Sequence, residues 1–392
     1  MSLKKQIEKL SLEIFPKVVS WKRYIHSNPE LAFEEYETAK FISKILSEYK
    51  IEHETGIAKT GIVALIKGKN PGSKCIALRA DMDALPILET NKHDFVSKNK
   101  GKMHACGHDY HTATLLGAIV IINKLKEHID GTIKFIFQPS EEKIPSGAEL
   151  MIEEGVLKNP KVDLVIGQHA TPEVETGKIG IRAGVFMASA DEIYLTIKGK
   201  GGHAAFPEKV IDPVIASAHI LTNLQQVISR KKSAFLNAVL SFGKITANGA
   251  TNIIPNEVKI EGTLRSMNEK WRFEAHKHIK NIAKYTAKSL GCTCETNIVV
   301  GYPCLYNDAK LTEKVYSLSQ NILGEKSVFE ISKRMGAEDF AYYSQKIPAC
   351  FIRIGTGSSK ETRNGLHTSN FQIDDNALLT SVKLFAYLGL SL

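Results

Sequence analysis

Between Met103 and His111 the chain reads MHACGHDYH, a stretch that holds one thiol, three imidazoles and a carboxylate. Cys106 and His108 are separated by one glycine, so both side chains can turn towards a common point. Asp109 stands where a helix N-cap would fall, ahead of an apolar run from Thr112 to Leu125. The segment therefore reads as a ligand-bearing loop at a helix start. A surface histidine cluster beside a buried cysteine is the plainer alternative. The density of soft and borderline ligands favours metal binding.

Other residues fit the same chemistry. Glu141 and Glu142 follow an apolar run and Gln138-Pro139, a poor place for idle charges. Being adjacent, their side chains diverge, so one can bind a metal while the other faces water. Metal-assisted hydrolysis needs that division, because a Lewis acid lowers the pKa of water and a nearby carboxylate takes the proton. Asp81 and Asp83 flank Met82 and point to one side of an extended chain. Asp83 suits the role of a carboxylate that holds the far nitrogen of a metal-bound histidine. His169 follows the apolar run DLVIGQ, and His367 lies in the Gly/Ser/Thr loop GLHTS. Cys106, His108, Glu142, His169 and His367 are too many ligands for one closed tetrahedral site. They suit two metal ions that share a ligand, about 3.5–4 Å apart. Further on, GKGGHAAFP sets His203 in a glycine-rich loop from which it can reach a substrate carbonyl. Asn252 in TNIIP and Arg265 at a strand end can together grip a carboxylate.

The elements that carry these residues follow from hydrophobic periodicity. Residues from Leu3 to Tyr49 read as two amphipathic helices parted by Asn28-Pro29, with an interruption at Pro16. Gly61 to Lys67 and Lys74 to Ala80 read as a hairpin-like strand pair around Lys69-Asn-Pro-Gly72. Gly131 to Gln138 is a strand, and Asp163 to His169 is a short buried strand ending in the histidine. Strands alternating with helices, with ligands at strand ends, predict an α/β sheet. From about Phe186 the pattern becomes β-α-β-β-α-β, the order of a ferredoxin-like domain. α/β character returns from about Tyr302. The expected fold is a larger mixed-sheet α/β metallohydrolase domain, residues 1–186 and 302–392, with an inserted ferredoxin-like α+β domain at 187–301.

A chain of 392 residues is long for one hydrophobic core, which agrees with two domains. The net charge of +9 is dispersed among acids, without the basic face or aromatic interleaving that nucleic acid would require. The charged N-terminus lacks the apolar core of a secretory signal, and no stretch suits a membrane span. The six cysteines show no compact disulfide pattern, so reduced thiols in a cytoplasmic protein are expected.

Eight ordered motifs carry a resemblance: RADMDALP, MHACGHDYHTATLLG, FQPSEE, GQHA, GGHAAFP, TNIIPNEVKIEGTLRS, GAEDFAYY and LHTSNF, spanning residues 79–371. In this order they resemble the metal-dependent amidohydrolase and carboxypeptidase family of aminoacylases, hippurate hydrolases, auxin-conjugate hydrolases and N-acetyldiaminopimelate deacetylases. The resemblance implies a dinuclear site held by Cys106, His108, Glu142, His169 and His367, with Cys106 as the shared ligand, Glu141 as general base and Asp83 behind a ligand. Zinc or manganese is the expected metal, with cobalt or nickel as alternatives, and the thiolate and imidazoles lean towards zinc. The resemblance further implies a homodimer formed through the inserted domain, His203 reaching a partner's site to stabilise an oxyanion, and Asn252 and Arg265 binding the substrate carboxylate. Other branches carry His-x-Asp where this chain has Asp81-Met-Asp83, so their role for Asp81 is not carried over. The segment Glu142-Lys-Ile-Pro-Ser-Gly147 departs from the glycine run common in this branch. The expected activity is cleavage of the amide bond of N-acyl amino acids, with a metallo-carboxypeptidase or dipeptidase as the alternative and a non-catalytic metal- or peptide-binding protein as the more distant one.

Overall fold

A computed structural model describes residues 1–392, which fall into two compact units. The first comprises Met1–Gly184, Tyr306–Ser332 and Asp339–Leu392; the second comprises Val185–Leu305 with Lys333–Glu338.

The first unit is a mixed α/β structure built on an eight-stranded sheet. Its central strands lie in the order Thr132–Gln138, Cys75–Asp81, Leu164–Glu175 and Ala349–Gly357, each parallel to its neighbour. Such strands are covered on both faces and read as continuous apolar runs; Cys75–Asp81, Thr132–Gln138 and Ala349–Gly357 are buried throughout. Helix His108–Lys124 is buried from His108 to Ile122 on every side. Its all-round apolar sequence fits that position between the sheet and helices Leu3–Ser27 and Asn376–Ser391.

Three local expectations are corrected. Gly61–Lys67 does not pair with the strand that follows it. It forms a hairpin with Glu52–Ile57, and Thr132–Gln138 enters between it and Cys75–Asp81. Helix Leu3–Ser27 runs through Pro16 without interruption. The carbonyl that loses its donor belongs to Leu12, on the exposed side, where water can replace the missing N–H. Finally, the strand carrying His169 continues to Glu175, so the histidine lies within it and not at its end.

The second unit has a four-stranded antiparallel sheet in the order Ala238–Ala247, Glu257–Ser266, Ser189–Lys198, Thr293–Val300. Along the chain its elements run β-α-β-β-α-β, the helices being Pro213–Arg230 and Glu269–Ser289. Ser189–Lys198 alternates: Ile193, Leu195 and Ile197 pack with Ile220, Leu224 and Ile279 from the helices. Asp212 caps the first helix through the N–H groups of Val214 and Ile215, with Pro213 at its first position. No helix in the chain is long and apolar enough to cross a membrane, and all six cysteines are free.

Within this unit Asp191 is fully buried and accepts hydrogen bonds from Arg272, from His276 at 2.6 Å and from Gly301 N–H at 3.1 Å. Burial alone would raise its carboxyl, but Arg272 and His276 outweigh burial and hold it below the ordinary range. Removing one partner of a buried pair strands the other. Asp191→Ala is therefore expected to destabilise this unit by roughly 3–5 kcal/mol in urea unfolding. Because the folded pKa lies below the unfolded one, wild type carries this contribution above about pH 4 and loses it as the pH falls further. A variant whose stability equals wild type at neutral pH would refute the assignment.

Candidate metal centre

Asp81 and Gln138 are paired in register at the carboxyl ends of adjacent parallel strands. The chain leaving one strand carries Asp83, and the chain leaving the other carries Glu141 and Glu142. Asp83 ties the two exits together: its oxygens accept the N–H of Glu141 at 2.9 Å and of Glu142 at 3.0 Å. The same carboxylate meets His108 Nδ1 at 3.2 Å. The histidine's other nitrogen is thereby aimed away from Asp83 and into the site.

Gly107 makes the Cys-Gly-His arrangement possible. It has φ 89°, and a Cβ there would press on Ile373 at 3.0 Å and Ala170 at 3.2 Å. Gly107, not Asp109, occupies the N-cap of helix His108–Lys124, which corrects the expected cap. Asp109 lies in the first turn, buried, and bonds His26 Nδ1 at 2.8 Å. His26 in turn meets Glu89 at 3.1 Å. His26, Glu89 and His93 make a second cluster of ligand types, and His26 and His93 line a small cavity together with Lys22, His104 and Asp109.

Cys106 is the point where the site converges. Its Sγ lies 3.3 Å from His169 Nε2 and 3.4 Å from His367 Nε2, and His367 Nε2 lies 3.1 Å from Glu142 Oε1. His169 Nδ1 donates to the carbonyl of Ala170 at 2.7 Å, which leaves Nε2 with a free lone pair towards Cys106. Backbone N–H of His367 is held by the carbonyl of Ala105 at 2.8 Å, in a left-handed conformation with φ 61°.

The donor set suits a metal on the structure's own terms. His108 is fully buried, and its Nε2 has no hydrogen-bond partner. Carboxylate oxygens of Glu141, Asp81 and Glu142 stand 3.8, 3.9 and 4.0 Å from that atom. Those separations are too long for hydrogen bonds but suit ligands gathered around one cation. Burial would lower the His108 imidazole, yet Asp81 and Asp83 outweigh it and push it up to about 10. The site demands positive charge there, from a proton or a metal. Burial, together with Glu142 and Glu141, pushes the Cys106 thiol well above its ordinary range, so a cation is needed to hold it as thiolate. Two sets of ligand atoms, Cys106 with His108 and His169 and Cys106 with Glu142 and His367, have Cys106 in common, and within each set the atoms lie within 4.8 Å of one another.

Behind these residues lies a network that sequence reasoning did not find. Arg79, fully buried, donates to Asp81 at 2.5 Å, Asp339 at 2.6 Å and Gln138 at 2.8 Å. Asp81 binds His111 Nδ1 at 2.6 Å, and His111 Nε2 accepts Ala170 N–H at 2.9 Å. His111 is thus fixed as the Nδ1–H tautomer, and Asp81 supports, through it, the backbone beside His169. The RADMD and GAEDF motifs held the signal, though not the pairing.

The remaining expected residues, His203, Asn252 and Arg265, belong to the second unit. His203 lies on a short two-stranded ribbon, Gly202–His203 paired with Ile253–Ile254, and Asn252 lies in the turn just before the second strand, where its carbonyl accepts Ala204 N–H at 3.0 Å. Both are exposed; Arg265 is half-buried on strand Glu257–Ser266.

Comparison with known proteins agrees with this centre. Residues 77–390 match the model of peptidase family M20/M25/M40. The chain is 38% identical over 374 residues to an N-acetylcysteine deacetylase of Bacillus subtilis, covering 95% of this chain and 96% of the relative. It is 36% identical over 394 residues to thermostable carboxypeptidase 2 of Saccharolobus solfataricus, covering 100% and 99%. Among solved structures, the Bacillus subtilis YXEP protein, a dinuclear metal binding peptidase from the M20 family, superposes with a TM-score of 0.83 at 35% identity over 96% of this chain and 98% of its own. The chain is a metal-dependent amidohydrolase and belongs to peptidase family M20/M25/M40.

Proposed function

We propose that this protein cleaves the amide bond of N-acyl amino acids, releasing the acyl group as a carboxylate and freeing the amine. One observation carries the reading. Asp83 fixes the backbone of Glu141 and Glu142 together, so one buried carboxylate sits at the ligand cluster while its neighbour joins Cys106 and His367. Cys106, His108, Glu142, His169 and His367 would hold two divalent metal ions; the thiolate and imidazole ligands favour zinc, and the carboxylate suits manganese as the alternative. Bound there, the ions supply Lewis-acid chemistry that acidifies water and polarises the amide carbonyl.

Glu141 then has a definable task. It takes the proton of the attacking water and returns it to the departing nitrogen, so the amine leaves neutral. Asp83 keeps His108 oriented throughout. In the second unit, which we read as ferredoxin-like and as the dimerisation module, His203 is assigned to the oxyanion and Asn252 with Arg265 to the substrate's free carboxylate. The names of relatives support the N-acyl class: besides the N-acetylcysteine deacetylase, an N-acyl-L-amino acid amidohydrolase of Geobacillus stearothermophilus is 41% identical over 304 residues.

A second reading is favoured by the carboxypeptidase relative: cleavage of a peptide bond next to a terminal carboxylate. Release of free amine from a panel of N-acetyl and N-benzoyl amino acids, set against dipeptides, separates them. The proposal expects kcat/KM for the best N-acyl substrate to exceed that for any dipeptide by at least about tenfold. A preference for dipeptides would establish the peptidase reading instead.

A further inference from the structure

Glu35 occupies the N-cap position of helix Tyr36–Glu48 yet makes no capping bond. Its side chain turns inward and is fully buried. One oxygen accepts the N–H of Ser140 at 2.9 Å and the other the hydroxyl of Thr60 at 2.7 Å. Ser140 is the residue directly before Glu141, and its backbone has φ 49°, the left-handed region that side-chain-bearing residues avoid. Its carbonyl is also engaged, accepting Gly147 N–H at 2.8 Å. Three successive amides, of Ser140, Glu141 and Glu142, are therefore held by two carboxylates, Glu35 and Asp83.

The two clamps differ in purpose. Asp83 also orients His108, whereas Glu35 touches none of the expected ligands and holds Ser140, whose left-handed backbone directly precedes the two glutamates. Burying a carboxylate is costly, and here burial with the nearby Asp83 charge raises Glu35 to about 7. A buried acid that neither caps its helix nor pairs with a cation calls for another reason. Ser140 supplies it: released, its backbone would relax to negative φ and rotate the two glutamates that follow.

We propose that Glu35 is a positioning residue, which clamps the left-handed Ser140 backbone and so aims Glu141 at the reacting amide and Glu142 at the metal. This rests on the roles proposed above for Glu141 and Glu142. Glu35→Met fills the same space without an acceptor. It is expected to lower kcat by about 10–100-fold with KM within about threefold, since small displacements of catalytic groups have effects of that order. The visible spectrum of the cobalt-loaded enzyme should change as Glu142 shifts. Glu35→Gln keeps an acceptor for Ser140 N–H and should restore kcat and spectrum to near wild type. Adding Ser140→Gly, which adopts left-handed backbone without strain, should recover part of the Glu35→Met loss. If Glu35→Met does not fold, Glu35→Asp, whose shorter side chain cannot reach Ser140, carries the same expectation. Wild-type kcat and an unchanged cobalt spectrum in the variant that folds, or failure of Glu35→Gln to restore them, would overturn the proposal. Glu141→Gln measured in parallel keeps the two readings apart. Turnover by that variant would refute the role of Glu141, while the cobalt spectrum still reports on Glu35.

Discussion

Glu141→Gln is expected to lower kcat by about a thousandfold or more, with two equivalents of metal still bound and KM little changed. General-base catalysis contributes roughly 10²–10⁴-fold, and the amide of glutamine can accept no proton at neutral pH. The substitution is otherwise conservative. The backbone N–H of residue 141 would still reach Asp83, so the turn that sets Glu142 stays in place. The side chain is nearly fully buried, at 6% exposure, so bulk water has little room to substitute for it. Its Oε2 lies 3.8 Å from His108 Nε2, in the midst of the ligand atoms. Glu142→Gln should behave differently, because Glu142 faces His367 at 3.1 Å and belongs to a ligand set with Cys106. There the loss of metal should accompany the loss of rate. Steady-state kinetics together with metal analysis of both variants distinguish these roles. Appreciable turnover by Glu141→Gln would remove it as the base, and simultaneous loss of metal would recast it as a ligand.

The site was more legible than the scaffold's details, for a physical reason. Metal ligands are drawn from few residue types, so Cys106, His108, Glu142, His169 and His367 stand out as a candidate set together, although each taken alone has a plainer use. The structure gathers all five in one place. The supporting network is written in ordinary residues. Arg79 and Asp339 are 260 positions apart, and neither type is unusual at a strand end or in a loop. Glu35 looks like a solvated helix-start glutamate, and only the approach of Ser140, 105 positions later, gives it a different task. Turn chemistry misled in the same way. Lys69-Asn-Pro-Gly72 is a sound turn, but local turn signals cannot reveal that Thr132–Gln138 enters between the flanking strands. In the second unit periodicity marks the elements well, because helix Glu269–Ser289 buries one clear face and strand Thr293–Val300 alternates exposed with half-buried residues.

Cys106→Ala is expected to reduce bound metal from two equivalents to one or fewer and to lower kcat by at least about a hundredfold, in line with metal-site losses. The thiol is the only donor common to the set with His108 and His169 and the set with Glu142 and His367. A residue that serves one metal alone can be lost with the other retained, whereas a shared one weakens both. Its position makes sharing feasible: His169 and His367 approach the sulfur at 3.3 and 3.4 Å, from a core strand and a late loop respectively. Charge argues the same way. Glu141, Glu142, Asp81 and Asp83 crowd this pocket, and an added thiolate is tolerable only where cations balance it. Cys106→Ser keeps the shape but offers a poorly ionised hydroxyl, so it should resemble the alanine variant. Cys106→Asp offers two oxygens that can reach two ions, and it should retain more metal than either. Titration of the metal-free proteins with zinc or cobalt, followed by metal analysis after gel filtration, measures this order. Two equivalents bound by Cys106→Ala with undiminished affinity would show that the thiolate is not shared, and the two ions would then need separate ligand sets.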